Sequence, residues 1–389
     1  MDRTDVFVFV DALGWDLVGT SGFLSDILPE RKPLEMQFGY SCTAIPTILS
    51  GVRPSEHGHL GLFRYAPAES PFKGVARAMS CLRPRSFWNR GRVRGWLSKA
   101  VKKILRYTGY FQLYNVSAAK LPYMDYCEKD NLFVRGGMGA VPNLADTLAA
   151  SGLAYHISDW HLSDAESIDR ALAEIRKGTR FVFLYTSALD AARHDRCADV
   201  KDRLDWYEGR LREVYRALKE SGREFSMTVF SDHGMTPLTK TIDLKSAVEA
   251  TGLRFGDDYG ACYDSTLLRV YRGSDGGRWP DRLRTIMSAV KPFEGDGHWL
   301  SEDEERRHGI YRADRSFGDA IFLVEPGVQI CPSDMGEKPL NAMHGFDPRD
   351  GHSLAAVMST EPIPETVVGV WNLFSLMAAV LRPRVASSH

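Results

Sequence analysis

The sequence predicts an α/β protein whose doubly wound, mostly parallel sheet is flanked by helices. Three short apolar runs, at 6–10, 181–185 and 227–230, are typical of strands buried on both faces. Helical, charge-rich stretches such as 199–221 separate them. Strands that alternate with helices form parallel sheets, and these sheets bind ligands beyond the carboxyl ends of their strands. The residues that follow each run are therefore the first candidates for function.

Each apolar run leads to side chains that can bind a cation. The first ends at an aspartate, the second leads to an aspartate and a histidine four residues apart, and the third ends in an Asp-His pair. Residues i and i+4 share one face of a helix, so the second pair can hold one ion. A further histidine follows later in the chain. Together these oxygen and nitrogen ligands suffice for two cations: Asp11, Asp190, His194, Asp232, His233 and His344.

Length and composition are those of an ordinary globular protein. The chain has 389 residues, of which 44% are hydrophobic and 25% charged, so it can bury a large core and intrinsic disorder is excluded. A net charge of −1 gives no overall preference for nucleic acid or an anionic membrane. No apolar run approaches the roughly 18 residues that span a bilayer, and no signal segment is seen, so we expect a cytoplasmic protein. Six scattered cysteines without a CxxC pair predict reduced thiols.

A change in composition predicts an inserted cap at 62–135. This segment is strongly basic and aromatic, and it contains no strand of the core type. The catalytic core then comprises 1–61 and 136–389. Within the core, the pattern from about 255 to 320 predicts a small α+β subdomain, with strands near both ends and a helix between them.

The predicted cap contains an amphipathic basic helix. Apolar residues recur there at helical spacing beside basic ones: Trp96, Leu97, Val101, Ile104 and Leu105 beside Lys99, Lys102, Lys103 and Arg106. Such a segment can be a solvated basic surface, a lid that attracts a polyanionic or lipid-linked substrate, or a helix on an anionic membrane surface. Nucleic acid is the less favoured partner, because aromatic residues at helical spacing more often pack against a core than stack on bases.

Five motifs resemble the alkaline phosphatase superfamily, and within it the type I phosphodiesterase/nucleotide pyrophosphatase branch. They span positions 11 to 347 in the expected order: the strand ending at Asp11, 41–51 followed by 54–58, Asp190-x-x-x-His194, 231–237, and 344–347. The resemblance implies an alkaline-phosphatase-like fold and two divalent cations, with Zn²⁺ the usual metal of the family and Mn²⁺ an alternative.

The resemblance also implies a role for each candidate ligand. One cation is held by Asp190, His194 and His344. The second is held by Asp11, Asp232, His233 and the oxygen of the nucleophile.

The nucleophile of the superfamily stands ten positions before the glycine that ends the following helical turn. Counting back from Gly51 gives Ser41, with Thr43 as the runner-up and Cys42 third. The sequence after Ser41 departs from the Thr-x-Pro-Asn of the phosphodiesterases and looks more like the Ser-Ala-Ala of alkaline phosphatases. Neither Thr43 nor Ile45 fits the motif that sulfatase maturation needs.

The resemblance implies a hydrolase of phosphate esters that forms a phosphoseryl intermediate. Two divalent cations against three carboxylates and one alkoxide leave the site roughly neutral, which favours a mono-anionic diester. The diesterases carry an Asn where this chain has Leu62, so Arg64 or His59 is the candidate for binding the substrate phosphate. A phosphomonoesterase or phosphonate hydrolase is the alternative enzyme, and a catalytically inactive binding protein of the same fold is the alternative without chemistry.

Overall fold

The structure is a computed structural model that describes residues 3–19, 21–80, 91–195 and 200–381. Its strands are β1 (Arg3–Val10), β2 (Glu30–Leu34), β3 (Phe63–Tyr65), β4 (Met124–Tyr126), β5 (Tyr155–Ile157), β6 (Phe181–Thr186), β7 (Glu224–Phe230), β8 (Thr236–Pro237), β9 (Lys240–Ile242), β10 (Tyr259–Tyr263), β11 (Leu267–Arg272), β12 (Gly297–Trp299), β13 (Ala320–Val324), β14 (Val328–Ile330), β15 (Ala342–Met343) and β16 (Ala355–Ser359).

The α-helices are α1 (Trp15–Val18), α2 (Ser41–Ser50), α3 (Pro54–His57), α4 (Lys73–Ser80), α5 (Gly91–Leu105), α6 (Leu144–Ser151), α7 (Asp164–Lys177), α8 (Ala188–His194), α9 (Val200–Glu220), α10 (Leu244–Glu249), α11 (Trp279–Val290), α12 (Glu302–Arg307) and α13 (Leu373–Ala379). Short 3-10 helices cover Leu121–Tyr123, Lys291–Phe293 and Val370–Asn372.

The chain forms two compact units, each built from separate segments. Unit 1 consists of Met1–His57, Leu132–Thr236 and Pro348–His389, and unit 2 consists of Gly58–Asn131 and Pro237–Asp347. Most of the predicted cap therefore belongs to unit 2, together with the whole of the predicted α+β subdomain. The part of the predicted cap at 81–90 lies outside the described residues.

Unit 1 contains a six-stranded sheet in the order β2-β16-β7-β1-β6-β5. Strand β1 lies parallel to both β6 and β7, and β5 lies parallel to β6. Strand β16 runs antiparallel to its two neighbours, β7 and β2. The prediction of a mostly parallel sheet flanked by helices is confirmed. The three apolar runs are its central strands, and all eight residues of β1 are buried.

Helices cover both faces of this sheet. Successive side chains of a strand point to opposite faces, so an apolar strand presents apolar side chains on both faces. Val6, Val8 and Val10 pack in a cluster with residues of α7 and α9. Phe7 and Phe9 pack on the other face with residues of α2, α6 and α13. Burying one such side chain stabilises the fold by about 1.5 to 3 kcal/mol, so the apolar character of β1 fixes it at the centre of the sheet.

The flanking helices begin and end at residues suited to those positions. Asn143 caps α6 and Ser163 caps α7, in each case through a reciprocal capping box with the acidic residue three positions later. Gly178 ends α7 in the left-handed region with φ +86°. These local signals hold α7 in place along the sheet and fix the start of β6.

Unit 2 contains a four-stranded antiparallel sheet in the order β10-β11-β13-β12. Its helix α11 and strands β11 and β13 lie where the α+β subdomain is predicted. Strands β3 and β4 pair antiparallel within the same unit. Helix α5 covers the predicted amphipathic basic helix. None of the helices among the described residues combines the length and the apolar character that crossing a membrane requires.

The cysteines in the described part of the chain are free thiols: Cys42, Cys127, Cys262 and Cys331. Cys81 and Cys197 lie outside the described residues.

Candidate metal and nucleophile site

The carboxyl ends of β1 and β7 place two aspartates side by side in unit 1. Asp11 follows β1 and Asp232 lies two residues beyond β7, and their exposed fractions are 5% and 0%. The backbone N–H of Asp11 donates to the Thr186 carbonyl at 3.0 Å, which fixes Asp11 at the end of β6 as well. Adjacent parallel strands thus deliver both carboxylates to one edge of the sheet, as predicted.

One oxygen of each carboxylate is held by the protein, and the other is not. Asp232 Oδ1 accepts hydrogen bonds from the backbone N–H groups of Ala12 at 3.3 Å and His233 at 3.1 Å. Asp11 Oδ2 accepts from the Tyr185 hydroxyl at 3.3 Å. The second oxygens, Asp11 Oδ1 and Asp232 Oδ2, are buried and accept no hydrogen bond from the described part of the chain. A buried carboxylate oxygen in this condition fits a metal ion as its partner.

His233 directs a ring nitrogen at these oxygens. Its Nδ1 lies 2.8 Å from the carbonyl of Gly234, and a carbonyl only accepts, so Nδ1 donates this hydrogen bond and Nε2 is the ring nitrogen that faces the cluster. That Nε2 lies 3.5 Å from Asp11 Oδ1, 3.3 Å from Asp232 Oδ2 and 3.0 Å from Ser41 Oγ. Two carboxylate oxygens, a hydroxyl oxygen and a ring nitrogen therefore converge on one point, a donor set that can hold a cation.

Crowding of negative charge shifts the acidity of the carboxyl groups. Burial raises the pKa of Asp11 well above its ordinary value, and the charges of Asp232 and Asp190 raise it further. Burial also raises the pKa of Asp232; the neighbouring His233 opposes this effect and Asp190 adds to it. All three carboxylates thus lie within electrostatic reach of one another, and a divalent cation would relieve their repulsion.

Helix α8 presents Asp190 and His194 on one face. It starts two residues after β6, and its first turn is held because the carboxylate of Asp164 accepts hydrogen bonds from the N–H groups of Ser187 and Ala188, both at 3.0 Å. His194 Nε2 lies 3.3 Å from Asp190 Oδ1. The i, i+4 spacing therefore brings the two side chains together, and both are partly exposed.

Helix α2 supplies the nucleophile candidate. Ser41 is its first residue, and the helix ends at Gly51 in the left-handed region with φ +75°. Ser41 is partly exposed, and its hydroxyl contacts His233 as described above. Thr43, the runner-up, is fully buried one half-turn further along. The hydroxyl of Ser41 therefore contacts the cluster formed by Asp11, Asp232 and His233.

Arg193 is a residue of this region that sequence reasoning missed. It is 7% exposed, and its guanidinium donates to the carbonyls of Ala12 at 2.9 Å and Met235 at 3.3 Å. It also forms an ion pair with Asp16. Arg193 thus joins α8 to the loops that carry Asp11 and His233. In the sequence, Arg193 stands out only as a charged residue that follows two alanines and directly precedes His194.

The loops after β1 and β7 approach each other at the level of the backbone. A Cβ atom on Gly14 would lie 2.4 Å from the Cα of Gly234, and one on Gly234 would lie 2.1 Å from the carbonyl oxygen of His352. Ala12 adopts φ +61°, a conformation that L-residues rarely take. Only glycine fits at the two contact points, so the ligand-bearing loops are held tightly.

Unit 2 contains the third predicted imidazole. His344 is 4% exposed and follows β15. Gly345 takes φ +93°, and its carbonyl accepts a hydrogen bond from Thr266 Oγ1 at 2.9 Å. The His-Gly motif is thus a defined turn.

The two candidates for phosphate binding also lie in unit 2. Burial lowers the pKa of His59 to about 4, so this ring is neutral at ordinary pH. Arg64 in β3 forms an ion pair with the buried carboxylate of Asp125 at 3.0 Å and a second pair with Glu69. The charge of Arg64 is therefore balanced by carboxylates of its own unit.

Comparison with known families identifies the family of the chain. Residues 38–347 match the model described as type I phosphodiesterase / nucleotide pyrophosphatase. The chain belongs to this family. It is therefore a phosphoester hydrolase of the nucleotide pyrophosphatase/phosphodiesterase type. The match includes Ser41 and all candidate ligands except Asp11, which precedes it.

Solved structures of ectonucleotide pyrophosphatase/phosphodiesterase 5 share the fold over nearly the whole chain. The human protein aligns with a TM-score of 0.66 at 12% identity, covering 97% of this chain and 94% of that chain. The murine protein aligns at 0.65 and 14% identity, and an inactive murine variant in complex with AMP at 0.64 and 14%, each over 97% of this chain and 95% of that chain. No match is found among curated protein sequences.

The type I phosphodiesterase/nucleotide pyrophosphatase family typically uses two divalent metal ions, and the donors in unit 1 fit such an ion. Ligand atoms of Asp11, Asp232 and His233 lie within 4.8 Å of one another. Two of them are the buried carboxylate oxygens that accept no hydrogen bond from the described residues. Mixed oxygen and nitrogen donors of this kind suit Zn²⁺.

Proposed function

We propose that this protein is a two-metal phosphodiesterase in which Ser41 is the nucleophile. The observation that carries the proposal is the convergence of Ser41 Oγ, Asp11 Oδ1 and Asp232 Oδ2 on Nε2 of His233, at 3.0, 3.5 and 3.3 Å. Without a cation, this position gives the Ser41 hydroxyl a hydrogen bond to the His233 ring. With a cation, the same position activates it.

The proposed ligand sets follow the family motifs. Asp11, Asp232 and His233 hold one cation together with Ser41. Asp190, His194 and His344 hold the other; the shared helix face of Asp190 and His194 supports this assignment, and that of His344 rests on the family motif. Zn²⁺ suits both sets, and Mn²⁺ is the alternative.

In the proposed reaction the chain positions one hydroxyl and one phosphate. Bound divalent cations would favour loss of the Ser41 proton and neutralise charge on the phosphate and the leaving oxygen. Ser41 Oγ attacks phosphorus as the bond from phosphorus to one alcohol oxygen breaks. That alcohol leaves with a proton from solvent, and the phosphoseryl intermediate still carries the second alcohol. Water then cleaves the bond between Ser41 Oγ and phosphorus, which restores the hydroxyl and releases a phosphate monoester. The start of α2 adds the positive end of a helix dipole beside Ser41.

His233 and Tyr185 would contribute to this step through the hydrogen bonds that orient the metal ligands. The hydrogen bond from His233 Nδ1 to the Gly234 carbonyl orients the ring so that Nε2 faces the cluster. The Tyr185 hydroxyl holds Asp11 Oδ2, so that Oδ1 is turned toward the cluster. Each ligand is thus oriented by a partner of its own.

We propose diesters as the substrates, with nucleotide diesters as the first class to test. Charge balance supports this choice, because the candidate Arg64 is paired with Asp125 and Glu69 and does not supply the extra cation that a dianionic monoester needs. The complex of a structurally similar murine protein with AMP supports testing nucleotides.

A comparison of variants tests the proposal directly. With bis-p-nitrophenyl phosphate as substrate, Ser41→Ala should lower kcat on the order of 10³-fold or more. Thr43→Val, two residues along the same helix, should stay within roughly tenfold of wild type. The wild-type enzyme should prefer this diester to p-nitrophenyl phosphate.

Other results would change the assignment. A clear preference for the monoester would favour the phosphomonoesterase alternative. Activity that survives in Ser41→Ala but is lost in Thr43→Val would move the nucleophile to Thr43. Metal binding without turnover of any ester would favour a binding protein.

A further inference from the structure

Helix α5 in unit 2 exposes large apolar side chains beside basic ones. Trp96 is 80% exposed and Ile104 is 70% exposed, the highest values among the large exposed hydrophobic residues of the described chain. Arg92, Lys99 and Lys103 are exposed on the same helix. The fifteen residues of α5 include no acid. A single exposed apolar residue is normal on a protein surface, so the informative feature is an exposed indole ring with several cations around it.

The opposite face of α5 is anchored, so the exposed face is fixed. Arg94 is buried and donates to the carbonyls of Tyr114 at 2.8 Å, Leu113 at 3.1 Å and Val116 at 2.7 Å. Ser98 is buried one turn later and accepts a hydrogen bond from the Leu113 N–H at 2.9 Å. The helix is therefore held to the 113–116 segment by its polar side chains.

Helical geometry places the tryptophan and the lysines together on the outer face. At about 100° per residue, Trp96, Lys99 and Lys103 lie roughly 140–200° around the axis from Arg94. The outer side of α5 is thus basic, with the exposed indole ring of Trp96 among the cations, while Val101 is buried on the anchored side.

We propose that this face of α5 docks on an anionic lipid bilayer. Trp and Lys side chains on an amphipathic helix favour the bilayer interface, where the indole enters the headgroup region and the ammonium groups contact lipid phosphates. Nucleic acid fits less well, because Ile104, exposed on the flank of this face, would find no apolar partner on a phosphate backbone. A second copy of the chain also fits less well, because two acid-free basic faces repel each other. The proposal is independent of the proposed reaction.

Vesicle binding by the full chain tests this surface. Wild-type protein should sediment with vesicles of phosphatidylcholine mixed with phosphatidylserine roughly 100-fold more strongly than with phosphatidylcholine alone, given three exposed cations. Binding should weaken as salt is raised. Replacing both lysines, K99Q with K103Q, should lower the affinity about 30-fold, and Trp96→Ala should lower it about tenfold or more.

Matched controls distinguish vesicle binding by this face from nonspecific binding through other exposed cations or apolar side chains. K177Q with K201Q removes two exposed cations from α7 and α9, and Val368→Ser removes an exposed apolar side chain from unit 1; both should bind vesicles as wild type does. The α5 variants should hydrolyse a soluble ester at the wild-type rate, which shows that they are folded.

Three results would overturn the proposal. The first is equal binding to neutral and anionic vesicles. The second is vesicle binding that Trp96→Ala leaves unchanged. The third is binding to single-stranded oligonucleotides that exceeds binding to anionic vesicles, which would reassign the face to nucleic acid.

Discussion

The buried guanidinium of Arg193 holds the ligand-bearing loops of unit 1 together, so Arg193→Leu should damage both stability and metal binding. Removing one partner of a buried ion pair costs about 3–5 kcal/mol. The Asp16 side chain keeps 18% exposure, so we expect the lower end, about 3 kcal/mol in the free energy of unfolding. The carbonyls of Ala12 and Met235 lose a donor at the same time.

The same variant should bind zinc more weakly, because the loops after β1 and β7 lose the contact that joins them. Losing a residue that orients metal ligands typically costs 10–100-fold in affinity. Urea denaturation of the metal-free protein measures the first effect, and competition with a zinc-binding dye measures the second. Arg212→Leu is the matched control. Its partner Asp26 is 60% exposed, so this change should cost about 0–1 kcal/mol and leave zinc affinity intact.

A double variant distinguishes the energy of the ion pair from the effect of changing the size of the side chains. If Arg193 and Asp16 interact as described, the combined change to leucine should destabilise the protein by less than the sum of the single changes, with a coupling of about 1–3 kcal/mol. An Arg193→Leu protein with wild-type stability and zinc affinity would refute this reasoning.

Other predictions concern charge and packing. Asp232→Asn should stabilise the metal-free protein at pH values where Asp11 and Asp232 are both ionised, and it should remove the stabilisation by zinc, because two ionised carboxylates within 4.8 Å of each other repel by about 3 kcal/mol at an effective dielectric of 20; urea titration with and without zinc measures both effects. Below pH 6.5 the unfolded chain takes up a proton on His59 that the folded protein refuses until about pH 4, so stability should fall over this range by up to about 3 kcal/mol. His59→Asn should flatten that part of the profile, and an unchanged slope would contradict the burial of this ring. Gly234→Ala should lower the melting temperature and the zinc affinity, because its Cβ would lie 2.1 Å from the His352 carbonyl; a variant with wild-type values would show that the loop can move.

The central strands and the placement of the aspartates could be predicted because both leave local signals. A run of residues buried on both faces of a sheet is typically apolar, as Val6 to Val10 are, and the carboxyl ends of adjacent parallel strands meet at one edge. Side chains at the ends of three such strands therefore had to lie near one another. The family motifs then identified which hydroxyl to consider.

Contacts between distant charged residues could not be predicted in this way. Arg193 and Asp16 are separated by 177 positions, and Arg64 and Asp125 by 61, so each looks like a solvated surface charge until the topology is known. The buried face of helix α5 could not be predicted either. The helical spacing of its apolar residues was evident in the sequence, and this pattern favours burial of Trp96. The structure instead buries Arg94, because its guanidinium donates hydrogen bonds to three carbonyl groups.

The most direct test of the metal site is a zinc titration of the chelated protein followed by an assay of the diester. We expect two equivalents of zinc per chain in the wild type, with hydrolysis of bis-p-nitrophenyl phosphate lost on chelation and restored as zinc is added. Asp11→Asn should bind at most one equivalent tightly and remain inactive. Full hydrolysis by the metal-free protein, or two tightly bound equivalents in an active Asp11→Asn variant, would contradict the role given to the cluster around His233.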